Sequence, residues 1–353
     1  MNIAQNLGLN DEIFCRMTLT TKMFLSNVLG HVAELHYENY LDAHNISFKK
    51  APTDKHYDYV VNFERHQVKR FEVESTNNNF IGVNLTITHG NRMGEGKYYR
   101  RDAFDKLILH DVNFKRFKTI PTSVIPLNSK YNGCLPGRFK LRRSESDKLE
   151  TINLEILIAL KQRNKLFVVA IEELRKKLDL TYAKMLEIIC SLSLDEIDKI
   201  FTEDNFRLIT GAKGFVAEEH FNQFLEQHNI SYRQHKSIYS KVDHWVKDKI
   251  RVQVKIPNLR STTNDYWGIK THKSHGHGLG ELLRSDDFDI LALFTGFEMI
   301  PSKSKYLPQN VTSSFLFIPN VDLERYPGHP EYLKRINRIR KDKYNVNDIS
   351  IFL

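Results

Sequence analysis

Cysteine is scarce in this chain, and long apolar runs are missing. The 353 residues include three cysteines, Cys15, Cys134 and Cys190, and none of them stands in a CxxC pair. Neither a zinc site nor a disulfide framework is therefore indicated. No apolar run approaches the roughly 18 residues that a membrane-spanning helix needs, so we expect no membrane partner. The N-terminal MNIAQNLGLNDEIF lacks a basic segment followed by an apolar one. That pattern marks a secretory signal, so we expect a cytoplasmic protein with reduced thiols.

The charge balance favours a polyanionic partner. Lys and Arg outnumber Asp and Glu by 52 to 43, which gives a formal net charge of +9. A surplus of this size favours nucleic acid, because the summed positive potential attracts phosphate. The alternative is a generically basic surface without such a partner.

The most informative feature is a long internal repeat. Residues 30–48 read GHVAELHYENYLDAHNISF, residues 214–232 read GFVAEEHFNQFLEQHNISY, and ten of the nineteen positions are identical without a gap. At the same offset, RRDAFDKLILHD (100–111) aligns with RSDDFDILALFT (284–295). Such a repeat predicts two copies of one domain, and it allows two versions of one site to be compared.

The repeat predicts the domain organisation. The copies cover roughly 10–128 and 194–320, so we expect a first domain at 1–145, a helical connector at 146–193 and a second domain at 194–353. Each copy shows a helix, two antiparallel strands and, after a glycine-rich loop, a further helix start and an apolar strand. This order is typical of a mixed α/β unit. The predicted strands are 57–64, 68–76 and 106–111 in copy one, and 241–247, 249–256 and 289–295 in copy two.

Three other stretches have two interpretations each. Residues 150–193 predict three short helices, with Thr181 as an N-cap; they form either a helix-turn-helix unit that contacts DNA or a helical spacer. The C-terminal YLKRINRIRKDKYN (332–345) predicts a basic helix, which either tracks phosphates or closes the fold in solvent. The basic run GRFKLRR (137–143) either touches DNA or is a solvated loop.

The paired strands carry acidic, amide and basic residues. In copy two, Asp243 opens the first strand and Gln253-Val254-Lys255 lies in the second, where a period of two puts Gln253 and Lys255 on one face. In copy one, Asp58 opens the first strand.

Copy one offers two alignments to the second strand. The letters QVK occur at 67–69, and EVE occurs at 72–74. We prefer 72–74, because Arg65-His66-Gln67 reads as the turn and Phe71-Glu72-Val73-Glu74 as the alternating strand.

These residues resemble the PD-(D/E)xK nuclease superfamily, which includes the type II restriction endonucleases. Its pattern is an acid at one strand and an (E/D/Q)-x-K pair on the adjacent strand, often with a glutamate from the preceding helix. The resemblance implies two tandem restriction-endonuclease-like α/β domains, each with a mixed central sheet flanked by helices. The catalytic set that it implies is Glu218, Asp243, Gln253 and Lys255 in copy two, and Glu34, Asp58, Glu72 and Glu74 in copy one.

The resemblance also implies Mg²⁺ as cofactor, with Mn²⁺ able to substitute. Mg²⁺ is a hard ion that takes few protein ligands, most of them oxygen. The implied ligands are Asp58, Glu72, Asp243 and Gln253. Glu74 stands where the family has lysine, so copy one departs from the pattern.

The stretch after each motif holds the candidate DNA contacts. In the superfamily this region leads to a helix beside the DNA. The phosphate-contact candidates are Lys97, Arg100 and Arg101 in copy one, and Lys270, Lys273 and Arg284 in copy two; the alternative for each is a solvated side chain. The loop histidines His272, His275 and His277 are interpreted as exposed or DNA-facing rather than as metal ligands.

The leading hypothesis is a type II restriction enzyme that cuts double-stranded DNA, with one pseudo-symmetric site for each strand. A fused pair of copies would act as a monomer, because the two halves form a pseudo-dimer. One alternative is a non-cleaving DNA-binding protein with relic nuclease domains. Another is a nuclease of repair, transposition or DNA junctions.

Overall fold

Two compact units make up the chain. The computed structural model describes residues 2–52, 55–70, 72–73, 80–87, 98–111, 116–142, 164–201, 206–234, 242–258, 261–271, 282–298, 308 and 310–352. Unit 1 comprises Asp11–Ile200, and unit 2 comprises Asn2–Asn10 with Phe201–Leu353. Both are mixed sheets flanked by helices, so the predicted mixed α/β class is confirmed.

The helices of the described residues differ widely in length. They are α1 (Asn2–Asn6), α2 (Asp11–Thr20), α3 (Lys22–Ala43), α4 (Asn164–Lys177), α5 (Tyr182–Cys190), α6 (Leu194–Asp198) and α7 (Phe206–Gln227). Within the described part of the chain, no helix is both long enough and apolar enough to cross a membrane.

Unit 1 is built on a five-stranded sheet. Its strands are β1 (Phe48–Lys50), β2 (Tyr59–Val61), β3 (Glu64–Arg70), β6 (Lys106–Asp111) and β7 (Arg116–Pro121), in that spatial order. The pair β3 and β6 is parallel, and the other neighbours are antiparallel. A second sheet contains β4 (Glu72–Val73), β5 (Phe80–Asn84) and β8 (Arg138–Arg142).

Unit 2 has the same central order and the same strand senses. Its sheet holds β9 (Tyr232–Gln234), β10 (His244–Val246), β11 (Ile250–Lys255), β13 (Ile290–Phe294) and β16 (Phe315–Pro319), with β11 and β13 parallel. Three smaller pairs are β12 (Tyr266–Lys270) with β19 (Ile336–Arg340), β14 (Phe297–Glu298) with β15 (Asn310–Val311), and β17 (Arg325–Tyr326) with β18 (His329–Leu333).

The long helix of each unit packs on its central sheet. In unit 1, Ala33, Tyr37 and Leu41 of α3 cluster with buried residues of β2, β3 and β6. In unit 2, the corresponding Ala217, Phe221 and Leu225 of α7 cluster with β10, β11 and β13. Fully burying one such large side chain stabilises a fold by about 1.5–3 kcal/mol. This packing fixes each helix above the strands that carry the candidate site.

The predicted turn at Arg65-His66-Gln67 is wrong. The β2–β3 turn is Asn62-Phe63, where φ is 49° and 66°, and β3 already begins at Glu64. Asn tolerates this left-handed region, and a two-residue loop with positive φ suits the twist of a hairpin. Phe63 is fully exposed, so an aromatic residue that favours strands occupies the turn.

The predicted C-terminal basic helix is also wrong. Residues 332–345 contribute to β18 and form β19, which pairs with β12. Burial along Ile336-Asn337-Arg338-Ile339-Arg340 alternates with a period of two, and only Asn337 and Ile339 are buried. That alternation is typical of a half-buried strand.

The helices predicted as a connector lie within unit 1. Thr181 caps α5 as predicted, because its Oγ1 accepts a hydrogen bond from the Lys184 amide at 3.1 Å. The Glu12 carboxylate of α2 accepts from the amides of Tyr182 and Ala183 at 2.8 and 3.1 Å, which ties α5 to α2. The first predicted helix of this segment falls outside the described residues, and DNA contact by these helices stays a prediction.

Each unit joins its long helix to its sheet with a hydrogen bond between side chains. In unit 2, His244 of β10 lies 2.7 Å from the side-chain oxygen of Asn222 in α7, and in unit 1 the Tyr59 hydroxyl donates to Glu38 at 2.7 Å. Burial lowers the pKa of His244 to about 4. Its Nδ1 is buried without a hydrogen-bond partner among the described residues, so protonation there would bury a charge.

The contribution of His244 to the stability of unit 2 should therefore be lost in acid. The pKa of His244 is lower in the folded state, about 4, than in the unfolded chain, about 6.5, so the unfolded chain binds more protons between these values. This contribution of His244 is complete above the unfolded value and is lost as the pH falls below it, by about 2 kcal/mol from pH 7 to pH 5. Both tryptophans, Trp245 and Trp267, lie in unit 2, so urea unfolding followed by tryptophan fluorescence reports on this unit.

His244→Gln should remove this contribution from the pH dependence of the parent, because the amide does not titrate. The exposed His329→Gln is the control, and it should leave the dependence unchanged. Equal pH dependence in the parent and in His244→Gln would contradict the assignment.

Candidate active site

A clamped aspartate begins the central hairpin of unit 2. The Oδ2 atom of Asp243 accepts hydrogen bonds from the side-chain amide of Gln253 and, at 2.7 Å, from the backbone amide of Val254. The backbone amide of Asp243 donates to the carbonyl of Val252 at 2.9 Å. Gln253 is buried, so these bonds are shielded from water and fix the carboxylate against β11.

Unit 1 contains the same arrangement. The Oδ2 atom of Asp58 accepts from the Gln67 side-chain amide and, at 2.7 Å, from the backbone amide of Val68. The backbone amide of Asp58 donates to the carbonyl of His66 at 2.9 Å. Gln67 is buried in β3, and Lys69 lies two residues farther along the same strand.

The alignment of Glu72-Val73-Glu74 with Gln253-Val254-Lys255 is therefore wrong. Gln67-Val68-Lys69 makes the contacts in unit 1 that Gln253-Val254-Lys255 makes in unit 2. Glu72 lies in β4, which pairs with β5 in the second sheet, and Glu74 lies outside the described residues. Copy one therefore has a lysine, Lys69, at the position of Lys255.

The misplaced turn explains the error, because reading Arg65-His66-Gln67 as the turn moved the second strand five residues along the chain. The hairpin of unit 2 turns through Lys247, Asp248 and Lys249, one residue more than Asn62-Phe63 in unit 1. An alignment without gaps therefore fails across the hairpin. Since the side-chain period of a strand is two, the shift by five residues also exchanges the two faces of the strand.

A helix glutamate faces each clamped aspartate. Glu34 of α3 is partly buried, and its Oε2 lies 3.4 Å from Nδ1 of His31. Glu218 of α7 is also partly buried and accepts a weak hydrogen bond from Gln234 at 3.4 Å. The two glutamates occupy identical positions of the repeat, so each unit sets one helix carboxylate near one strand carboxylate.

The paired carboxylates oppose each other's ionisation. Burial, reinforced by the charge of Glu34, raises the pKa of Asp58 to about 7. Burial, reinforced by the charge of Asp243, raises the pKa of Glu218 to about 8, although Lys255 acts in the other direction. Two carboxylates in one poorly hydrated site readily share a proton or hold a cation.

Glu34, the partner of Asp58 in unit 1, is held in its ionised form. Burial alone would raise the pKa of Glu34, but the hydrogen bond and charge of His31, with the charges of Lys50 and Lys69, lower it. Phe215 occupies the position of His31 in copy two, so this support is particular to unit 1.

Lys69 is held in its charged form. Burial opposes the charge, but Tyr99, Asp58 and Glu34 together raise the pKa of Lys69. The Nζ atom lies 5.7 Å from the centroid of the Tyr99 ring. Tyr99 is a site residue that the sequence reasoning missed, and the repeat carries no signal for it, because Leu283 occupies its position in copy two.

A bidentate ion pair fixes the parallel strands below each site. Asp105 accepts from the Arg65 guanidinium at 2.9 and 3.1 Å and from the Arg65 amide at 2.8 Å. Asp289 accepts the corresponding bonds from Arg251 at 2.7, 3.1 and 2.8 Å. The hydrogen bonds from these arginines lower the pKa of both aspartates. The repeated Phe-Asp of the sequence is the signal of this contact, which sets the register of β3 with β6 and of β11 with β13.

The structure describes four of the six residues that are predicted to contact DNA. Arg100, Arg101, Lys270 and Arg284 are exposed. Arg101 donates to the backbone carbonyl of Ser123, and Arg284 lies 3.5 Å from Asp286. DNA contact by all four stays a prediction. Lys97, Lys273 and the histidines His272, His275 and His277 lie outside the described residues.

The donor set of each site is small. The described residues contain no group of three or more His, Cys, Asp and Glu side chains that could hold a metal ion. Each site offers two carboxylates and the side-chain amide of a glutamine. The nitrogen of that amide already donates a hydrogen bond to the aspartate. The glutamine carbonyl oxygen is the third oxygen donor. Three oxygens suit a hard cation that keeps several waters.

Comparison with known proteins adds little to this geometry. No protein-family model and no curated protein matches the chain. A bacterial homing endonuclease, among solved structures, superposes with a TM-score of 0.24 and 16% sequence identity. The match covers 42% of this chain and 91% of that one. A likeness of this size supports no functional assignment. The assignment rests on the residues of the two units.

Removing one carboxylate should stabilise the metal-free protein. In Asp243→Asn, the side-chain carbonyl can still accept from Gln253 and Val254, but the charge that opposes ionisation of Glu218 is gone. We expect unit 2 to gain about 1 kcal/mol at pH 7, the scale of one pKa unit. Urea unfolding in chelator, followed by tryptophan fluorescence, measures the change.

Asp286→Asn, an exposed carboxylate of the same unit, is the control and should change stability by less than about 0.5 kcal/mol. A less stable Asp243→Asn would show that the hydrogen bonds of the charged carboxylate outweigh its repulsion of Glu218.

Proposed function

We propose that this chain is a metal-dependent endonuclease that hydrolyses both strands of duplex DNA, with one site in each unit. The observation that carries the proposal is the repeated site. Glu34, Asp58, Gln67 and Lys69 correspond to Glu218, Asp243, Gln253 and Lys255, with the same hydrogen bonds to each aspartate. This set matches the PD-(D/E)xK pattern more closely than the sequence alignment did, because both units now have the lysine.

The residues present fit Mg²⁺ or Mn²⁺. Glu34, Asp58 and the carbonyl oxygen of Gln67 would hold the ion in unit 1, and Glu218, Asp243 and Gln253 in unit 2. When bound, the ion would stabilise charge on the phosphate and ease the ionisation of a water. The raised pKa values of Asp58 and Glu218 support this assignment, since a cation would relieve the repulsion that raises them.

The chain's own residues would position and neutralise the phosphate. Lys69 carries its charge in this site, so it would act by stabilising negative charge in the transition state rather than by accepting a proton. Lys255 occupies the equivalent position in unit 2. The hydrogen bonds of Gln67 and Val68 hold Asp58 in place before DNA arrives, so little reorganisation accompanies the reaction.

A duplicated site suits double-strand cleavage by one chain. The strands of a duplex run in opposite directions, and most enzymes that cut both use a dimer with one site for each strand. Two units in one polypeptide would supply both sites to a monomer. The finer proposal is a restriction-type enzyme with a fixed recognition sequence. An enzyme of this type would cut a plasmid of known sequence into discrete fragments.

Single-site variants test the proposal directly. We expect the parent to linearise supercoiled plasmid with Mg²⁺ or Mn²⁺, and Asp58→Asn and Asp243→Asn each to leave nicked circles. Cleavage of the affected strand should fall by at least about 100-fold, the scale of one lost transition-state contact. The double variant should be inactive, and chelator should stop the parent.

Asp102→Asn/Asp286→Asn is the matched control, because these exposed acids occupy equivalent positions in the two units. It should cut like the parent. Linearisation by Asp58→Asn would remove unit 1 from the proposal. Binding without cleavage would favour a relic DNA-binding protein, and cleavage confined to branched DNA would favour a junction nuclease.

A further inference from the structure

Tyr99 of unit 1 and Leu283 of unit 2 occupy the same place in the fold. The two positions align in the repeat. The backbone carbonyl of Tyr99 accepts a hydrogen bond from the amide of Leu135 at 2.7 Å, and the carbonyl of Leu283 accepts the corresponding bond from Leu333 at 2.8 Å. The equivalence therefore holds in the backbone as well as in the sequence, and the two units differ here in the side chain.

The Tyr99 ring is held firmly in the core of unit 1. Only 6% of the residue is exposed, and it belongs to a hydrophobic cluster. The ring meets Phe104 edge to face, with the centroids 5.5 Å apart and the planes at 79°. The ring of His56 meets it at 6.1 Å and 86°. Because neighbours hold the ring, its hydroxyl is a fixed partner for Lys69.

This fixed phenol restricts the Lys69 side chain. The Nζ atom lies 5.7 Å from the ring centroid. Burial lowers the pKa of Lys69, and the contact with Tyr99 is the largest effect that raises it. Lysine is among the side chains that lose most rotamer freedom when they become ordered. Since Tyr99 already restricts Lys69, less freedom is left to lose when a phosphate binds.

The equivalent lysine of unit 2 has no such partner at this position. Leu283 is apolar and buried in a hydrophobic cluster, so its side chain offers Lys255 no polar atom. The helix glutamates differ as well. Glu34 lies 3.4 Å from His31, whereas Phe215 occupies the position of that histidine in copy two. Unit 1 therefore positions its site residues with two side chains that unit 2 lacks.

We propose that Tyr99 positions Lys69 and that its replacement by Leu283 makes the two sites unequal, so that unit 1 cuts its strand first. This inference rests on the proposed function. A lysine already in place stabilises the transition state with little reorganisation, whereas Lys255 has to be ordered first. The rotamer freedom lost on ordering corresponds to roughly tenfold in rate. Duplex cleavage therefore passes through a nicked intermediate, and Tyr99 acts on the phosphate only through Lys69.

Variants with one working unit measure each site by itself. Asp243→Asn leaves unit 1 to nick a supercoiled plasmid, and Asp58→Asn leaves unit 2. With Mg²⁺, we expect Asp243→Asn to nick about tenfold faster than Asp58→Asn. Tyr99→Phe keeps the ring and removes the hydroxyl. Added to Asp243→Asn, it should lower kcat about tenfold and leave KM unchanged, which is the mark of a contact that acts in the transition state. Added to Asp58→Asn, it should have no effect, because unit 1 then does not cut.

Tyr98→Phe is the matched control for the loss of a hydroxyl. The ring of this neighbouring residue packs on Tyr131, with the centroids 5.2 Å apart. Added to Asp243→Asn, it should leave nicking unchanged. Equal nicking by the two single-unit variants would overturn the order of cutting. If Tyr99→Phe does not slow Asp243→Asn, the positioning role of Tyr99 is overturned.

Acetylation of Lys69 tests the contact without any cleavage. Trace acetic anhydride is added to the folded full-length chain, and peptide mass spectrometry gives the rate at each lysine. We expect Tyr99→Phe to raise the rate at Lys69 about tenfold, the scale of one polar contact to a charged group, and Tyr98→Phe to leave it unchanged. Lys106, which pairs with Glu64 at 2.5 Å, should keep its rate in both variants, because the fold is intact.

The acetylation rates separate the role of Tyr99 from the nuclease proposal. Equal rates at Lys69 in the parent and in Tyr99→Phe would overturn the positioning role, whether or not DNA is cut. If neither the parent nor any variant nicks DNA, the nuclease and the order of cutting fail together. The rates at Lys69 then still decide whether Tyr99 positions this lysine.

Discussion

The carboxylate that begins each central hairpin is the contact on which the rest of each unit depends. Asp58 and Asp243 each join two strands through a backbone amide and a buried glutamine. The same oxygen that closes the hairpin belongs to the group nearest the proposed chemistry. Structure and reactivity therefore share one side chain, and a substitution there changes both.

The charges around this contact destabilise the folded state. A helix glutamate faces the aspartate in each unit, and the pKa of one carboxyl rises in consequence. Unit 1 offsets part of the repulsion with His31 and with a lysine that Tyr99 helps to keep charged. A pair of like charges that repel each other, present twice in one chain, is typical of a functional site.

Much of the fold could be predicted from the sequence, because the repeat allowed one copy to check the other. The apolar strands β6 and β13, the Thr181 cap and the helix glutamates follow from local patterns. The hairpin of copy one did not, because Phe63 favours a strand and yet occupies an exposed turn. The misplaced turn then hid the equivalence of the two QVK strands.

The contacts that sequence reasoning missed are those between distant parts of the chain. Tyr99 reaches Lys69 only through the fold, and its counterpart in copy two is apolar. The C-terminal basic run has the composition of a helix, and only its pairing with β12 decides that it is a strand. Burial of Asn337 and Ile339 selects the period of two, and no residue within the run does so.

The unequal hairpin turns also show where each unit tolerates change in length. The extra residue lies in the turn, and both hairpins keep the same strand pairing and the same bond from glutamine to aspartate. The bidentate arginine pairs lie just after each turn and hold the second hairpin strand to its parallel neighbour. The exposed Asn62-Phe63 turn is therefore a natural point for inserting a short peptide tag or a fluorophore, since Asp58 and Gln67 lie at the opposite end of the hairpin.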